Sequence, residues 1–352
     1  MADSILKEFE ELTEVEQLRA ALGRTEAQLK RAKARSENLV AATLQGAHDA
    51  VLALGPLPIV PRPALVADHV SDKEEVALWH LTDWQGSKVT TSYNSTIMRE
   101  RVLHYCDKAA LLTEIQRAHH PVKKCVIMFG GDMGEGIFNF PQQVFEIDAT
   151  LFDQFAMIAR LEVEVVRRAL AIYDDVEIVS EFGNHGRIGS KRAAVPLADN
   201  FDRMAYHLAR VLIQESADAP RVVWKDSIED IQHVEIGAYR ALLIHGDEVG
   251  RNGFASRNTI VSHIGRWQSG AHDWVFRDAY YGHYHSHSED SLPNGYGTVF
   301  GTGSPESDSR YASVSVAAGS RPSQRLHFID PVKGRVSCQY RVWLTDEDTL
   351  EA

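Results

Sequence analysis

The sequence predicts an α/β protein whose core is closed by antiparallel strands. Three observations carry this. Short apolar runs at residues 76–82, 125–129, 176–179 and 241–244 recur along the chain. Between the first of them lie long segments with apolar residues at helical spacing. After residue 297 the pattern changes to strands alone, broken by turn residues.

The elements follow in order. Residues 6–50 read as helix, rich in Ala, Glu, Leu, Lys and Arg and free of proline. Val15, Leu18, Leu22, Thr25, Leu29, Ala32, Ser36 and Leu39 alternate steps of three and four, the spacing of a coiled-coil seam. Thr25, Ala32 and Ser36 weaken it. An oligomerisation helix over residues 1–50 is expected, and a helix packed along its own domain fits the same pattern. Residues 51–72, with Pro56, Pro58, Pro61 and Pro63, read as a linker to a domain spanning 73–352.

That domain opens with a strand at 76–82 and a helix at 95–119. Val102, Leu103, Cys106, Ala110 and Ile115 lie near one face of the helix. A strand at 125–129, a helix at 151–173, a strand at 176–179 and a helix at 201–214 continue the alternation. Strands at 241–244 and 279–281 follow. The closing strands are 297–300, 312–317, 325–329 and 335–344, the last two joined by a turn over Asp330-Pro331-Val332-Lys333-Gly334.

Composition sets limits. Apolar residues make up 44% of the 352, which supports a substantial core and excludes disorder. The formal net charge of −12 does not by itself attract nucleic acid. A local basic groove or bound cations can still supply a positive field. Cys106, Cys125 and Cys338 are odd in number and far apart, so neither a disulfide framework nor a zinc knuckle is expected. Reduced thiols suit a cytoplasmic location. The apolar stretch at 51–67 is broken by prolines and Arg62, so no membrane helix and no membrane partner are expected. The N-terminus is acidic and polar, without the apolar region of a signal peptide.

Five short segments carry the chemistry: Asp83-Trp84-Gln85, Gly130-Gly131-Asp132, Gly183-Asn184-His185, His245-Gly246 and Gly282-His283-Tyr284-His285. Four of them follow a predicted strand, which gathers their side chains at one sheet edge. Asp, Gln, Asn and His donors suit hard or borderline divalent cations. A phosphate diester resists attack because its oxygens repel nucleophiles and its alkoxide leaves poorly. Two cations roughly 3.5–4 Å apart neutralise those oxygens and acidify a water between them. A nearby acid must then protonate the departing oxygen. Asp132, in a turn of small residues, is placed to bridge two ions. Asn184 offers a carbonyl oxygen, and His245, His283 and His285 offer imidazoles. His185 is placed to act as acid. Each residue alone has an ordinary explanation as a turn or strand-end polar group; the ordered set does not.

In this order the segments resemble the calcineurin-like metallophosphoesterase superfamily, over roughly residues 75–320. The resemblance implies a four-layer double β-sandwich flanked by helices, with a dinuclear site at strand ends. It implies that Asp83, Gln85, Asp132 and His285 hold one metal, that Asp132, Asn184, His245 and His283 hold the other, and that His185 is the general acid. The stretches at 301–311 and 319–324 resemble a branch found in phage and mobile elements, of DNA-repair-exonuclease type; a phage-encoded chain would act in the host cytoplasm.

Three positions depart from that pattern. Gln85 stands where His is usual, and an oxygen donor there favours Mn²⁺ or Mg²⁺ over Zn²⁺ or Fe. Gly186 and Arg187 follow His185 where a carboxylate is usual, leaving the orientation of His185 without its partner. Glu135 stands three residues after Asp132, where Asp is common, and is expected to support the ligands. Arg187, Lys191 and Arg192 form a basic stretch at the expected substrate entrance and are candidate phosphate contacts. Trp84, Trp267 and Trp274 are expected in the core, and His104, His119, His120, His207, His233 and His327 at the surface.

The expected function is a phosphodiesterase using two divalent ions, Mn²⁺ first, on nucleic acid and DNA above all, assembled as a homo-oligomer through the N-terminal helix. A phosphomonoesterase, or a phosphodiesterase of small or cyclic nucleotides, fits the same motifs. A third reading is an oligomeric scaffold with a degenerate metal site, for which Gln85 and Gly186 speak.

Overall fold

The computed structural model describes residues 57–64, 70–188, 196, 198–225, 228–249, 255–293, 295–308 and 321–345, with isolated positions between 19 and 49. Those isolated positions are helical. Most of the predicted seam, and the predicted strand at 312–317, lie outside the described residues.

Two sheets form the centre. The first has the order β11-β10-β1-β2-β3-β4. It comprises β1 (Glu75–Leu81), β2 (Val122–Gly130), β3 (Asp175–Glu181), β4 (Val222–Lys225), β10 (Ser323–Asp330) and β11 (Arg335–Trp343). Strands β1 to β4 run parallel, and β10 and β11 close one side antiparallel. The second sheet has the order β5-β6-β7-β9-β8. It comprises β5 (Gln232–Ile236), β6 (Tyr239–Leu243), β7 (Asp278–Tyr281), β8 (Ser288–Ser291) and β9 (Thr298–Gly301). Here β6, β7 and β9 are parallel, with antiparallel strands at both edges.

Side-chain alternation along the strands builds the layers. Ala77, Trp79 and Leu81 of β1, with Cys125, Ile127 and Phe129 of β2, face three helices: α1 (Ser95–Arg117), α2 (Leu151–Ile172) and α3 (Phe201–Gln214). The intervening Val76, Leu78, Val126 and Met128 face the second sheet and meet Val234, Ala241, Leu243, Tyr280 and Phe300. The outer face of the second sheet packs Leu242, Ala279 and Tyr281 on Ile260 and Ile264 of α4 (Arg257–Arg266). The result is helix, sheet, sheet, helix, the double sandwich that the sequence resemblance implied.

Each of the helices α1 to α4 starts on a side-chain cap that takes up a free backbone N–H. Asn94, Thr150, Asn200 and Ser256 accept from Ile97, Asp153, Asp202 and Thr259 respectively. The proline-studded segment lies against the helical layer. Val60 N–H donates to the Asp218 carboxylate at 3.0 Å, and Arg221 returns a bond to the Val60 carbonyl at 2.9 Å.

Three strands and one α-helix went unpredicted, each for a physical reason. β5 alternates buried and exposed residues through Gln232-His233-Val234-Glu235-Ile236, too polar to stand out as an apolar run. β4 is short and half exposed. β8 reads Ser-Glu-Asp-Ser, and its pairing with β9, not its propensity, makes it a strand. α4 buries only Ile260 and Ile264. His327 is a correction: it is fully buried between the sheets, where Tyr280 Oη meets its Nδ1 at 2.9 Å. Among the described residues no helix is long and apolar enough to cross a membrane. The three cysteines are free thiols, Cys106 and Cys125 buried.

Candidate metal centre

The parallel strands of both sheets deliver their carboxyl ends to one place. Asp83, Asp132, His245 and His283 each stand two residues beyond the end of β1, β2, β6 and β7, and Asn184 stands three beyond β3. Ligands gathering outside the carboxyl ends of parallel strands is the general rule for such sheets. Asp83, Gln85, Asp132, Asn184 and His245 are all buried.

The local backbone is bent to make this possible. Among the described residues seven non-glycine residues have positive φ, and five of them are predicted ligands: Asp83 (53°), Gln85 (48°), Asp132 (52°), His283 (62°) and His285 (50°). Side chains other than glycine rarely adopt this region, and such strain collects at functional sites. Neighbouring loops hold it in place. Asp83 N–H bonds Gly131 O at 2.9 Å, Gln85 N–H bonds Asp132 O at 3.0 Å, and Gly86 N–H bonds Met133 O at 2.8 Å. The pairing of β1 with β2 thus runs on into both ligand loops. The glycines serve close approach: a Cβ on Gly183 would overlap Asp132 Oδ1, and one on Gly282 would overlap Asp83 Oδ2.

Donor atoms of Asp132, His245 and His283 lie within 4.8 Å of one another. His245 Nε2 is 3.0 Å from Asp132 Oδ2 and 3.2 Å from Asn184 Oδ1. Its Nδ1 lies 2.8 Å from the Gly130 carbonyl. A proton held there leaves Nε2 to face the carboxylate, the usual arrangement behind a metal-binding imidazole. Burial alone would lower the His245 pKa, but the adjacent Asp132 carboxylate raises it well above the ordinary value. On the other side, His285 Nε2 is 3.4 Å from Asp83 Oδ1 and 3.3 Å from Gln85 Nε2. Its Nδ1 is 2.9 Å from the Glu306 carboxylate.

The residues fit a bound cation. Gln85 Oε1 is buried with no hydrogen-bond partner among the described residues. A buried acceptor left in that state costs about 1–3 kcal/mol. It is the Gln85 amide nitrogen that faces His285 Nε2, at 3.3 Å. Turning the amide over would set the oxygen toward His285, where a cation would satisfy it, so Gln85 stands in the position of a ligand.

His185 answers the second departure. Its N–H bonds Asp132 Oδ1 at 2.7 Å, and its Nε2 lies 3.9 Å from Asp132 Oδ2, facing the ligands. Nδ1 is held by Glu135 through both the carboxylate and the carbonyl oxygen, each at 3.2 Å. Glu135 thus supplies from the second motif the carboxylate that Gly186 and Arg187 lack. Burial would lower the His185 pKa; Glu135 and Asp132 outweigh it and push it up to about 9.

Several contributors were not visible in the sequence. Lys88, almost buried, sits 3.7 Å from Glu135 and 3.2 Å from Glu306, so one ammonium lies between the carboxylates that hold His185 and His285. Asp202, in the first turn of α3, accepts N–H bonds from Asp132, Met133, Gly134 and Gly183 and so joins two ligand loops. Gln324 Oε1 accepts the Thr82 N–H at 2.7 Å beside Asp83. None belongs to a motif; each contact pairs residues far apart in the chain, from 19 residues upward.

Arg187 lies near the site but spans to Asp247 at 2.7 Å. Lys191 and Arg192 lie outside the described residues. Trp84 is fully buried in the core, and Trp267 and Trp274 pack on the outer cluster of the second sheet.

The fold and the site together have the form that the sequence resemblance implied: a double sandwich with metal-type side chains gathered at strand ends. No family model and no curated protein matches the sequence. Solved structures are similar in fold. Vps29 of Entamoeba histolytica, solved with Zn²⁺, matches at 10% identity and TM-score 0.33, over 76% of this chain and 99% of that one. A predicted phosphoesterase of Streptococcus pneumoniae TIGR4 matches at 11% identity and TM-score 0.29, over 76% and 98%. The sulfate thiohydrolase SoxB of Thermus thermophilus matches at 8% identity and TM-score 0.32, over 80% and 58%. At these identities and TM-scores the likeness says nothing of what this chain does.

Proposed function

We propose that this chain is a phosphodiesterase that works with two divalent ions and cleaves nucleic acid, DNA in particular. The observation that carries the reading is the convergence of strained ligand residues from two sheets on one buried point, with His185 held beside it by Glu135. Asp83, Gln85, Asp132 and His285 would hold one ion; Asp132, Asn184, His245 and His283 the other. Mn²⁺ suits the oxygen-rich first set. When bound, the ions supply charge neutralisation at the phosphoryl oxygens and an acidified water.

The chain's own residues do the rest. Glu135 fixes the proton on Nδ1 of His185, which turns Nε2 toward the site. From there Nε2 gives its proton to the departing oxygen. Arg187, held by Asp247, is a candidate phosphate contact whose charge that carboxylate partly offsets. The choice of nucleic acid is supported by the basic stretch at 187–192 and by the resemblance to DNA-processing members of the superfamily. A homo-oligomer joined through the N-terminal helix belongs to the same proposal.

The test is a substrate panel with Mn²⁺: plasmid, linear single and double strands, cyclic nucleotides and an aryl phosphate. Cleavage of the polymers is expected. Asp132→Ala should abolish metal binding and activity. His185→Ala should keep the metals and slow poor leaving groups most. Turnover of small esters alone would defeat the nuclease reading, and no bound divalent ion with no turnover would favour the scaffold.

A further inference from the structure

Phe140 is 45% exposed, yet its ring lies 5.1 Å from the His185 imidazole. Its backbone is fastened there. The N–H groups of Asn139 and Phe140 both donate to Gln143 Oε1, at 3.0 and 3.1 Å. Gln143 is buried, and its Nε2 reaches the Glu135 carbonyl and lies 3.2 Å from His185 Nδ1. The Asn139 amide donates to the carbonyls of Asn184 and His185. Phe138 stacks on Phe201 of α3, with centroids 6.0 Å apart and planes 13° apart. One buried glutamine that borders the ring of the acid therefore also fixes the backbone of an exposed aromatic.

An aromatic ring left open to water at a fixed place offers a stacking surface. Whatever His185 protonates departs beside this ring. We infer that Phe140 is a platform for a planar aromatic group on the leaving side of the substrate, a nucleobase, separated from the leaving oxygen by its sugar. This rests on the reading of His185 as the general acid. Stacking of a base on an aromatic side chain is worth about 1–3 kcal/mol and tolerates any base. The platform therefore selects nucleotides over baseless phosphoesters without selecting sequence.

Two measurements on the Mn²⁺-loaded full chain test this. Calorimetry compares binding of a nucleoside monophosphate with deoxyribose 5-phosphate. Kinetics compare a dinucleotide with an analogue carrying an abasic sugar on the leaving side. The base-bearing probe should win by about tenfold in each, which corresponds to about 1.4 kcal/mol. Phe140→Ala should reduce both preferences to within about twofold, Phe140→Trp should keep them, and bound Mn²⁺ should match in all three proteins. Equal binding of the two probes, no binding of either, or an equal loss on both in Phe140→Ala overturns the platform. A retained binding preference without turnover of either diester overturns the hydrolase reading and leaves the platform standing. Turnover with no base preference does the reverse.

Discussion

Gln85 occupies a position where imidazole is the commoner donor, and its Oε1 is buried without a partner among the described residues. That makes it the residue whose replacement reads most directly on one ion. Gln85→Ala should lower the bound metal from two equivalents toward one, and Gln85→His should hold two more tightly; metal analysis after desalting decides. A second expectation concerns protons. In the metal-free chain burial would lower the His285 pKa, but Asp83 and Glu306 push it up to about 10. Its contribution to the stability of the metal-free fold is complete below about pH 6.5. It is lost as the pH rises through about 10. Coordination needs the deprotonated ring, so metal affinity runs the other way and rises with pH across this window. Metal uptake at pH 7.5 should release protons, seen as a heat that varies with the ionisation enthalpy of the buffer. Heats independent of the buffer would contradict this.

At the scale of elements, α3 matters more than its place outside the motifs suggests. Its Asp202 accepts four backbone N–H groups from the two loops that carry Asp132 and Asn184. Asp202→Ala leaves those donors buried and should cost about 3 kcal/mol or more. The urea midpoint should fall, and bound metal should fall with it although Asp202 is not a ligand. Loss of stability with full metal occupancy would show that the loops keep their form unaided. The ligand-bearing elements were legible because β1, β2, β3, β6 and β7 are short apolar runs that stop at a polar residue. Asp132, His245 and His283 bring their donor atoms within 4.8 Å of one another for that reason. Asp202, Lys88, Glu306 and Gln143 were not legible, since each acts through a partner distant in sequence or buried by the fold. Edge strands such as β8 were not legible because pairing alone makes them strands.

For the whole molecule, assembly and chemistry should separate. Removing residues 1–50 is expected to lower the subunit count in solution while leaving kcat per chain within about twofold; light scattering and a kinetic assay together decide. An unchanged mass would deny the N-terminal segment its role.

Asp83, Asp132 and Asn184 come from the first sheet, whereas His245, His283 and His285 come from the second. The ions would therefore act as a clasp across the seam of the sandwich, adding to the side-chain packing and hydrogen bonds that already join its two halves. Chelation should loosen that seam, so amides of β6 and β7 should exchange with deuterium faster after metal removal while those of α2 stay protected.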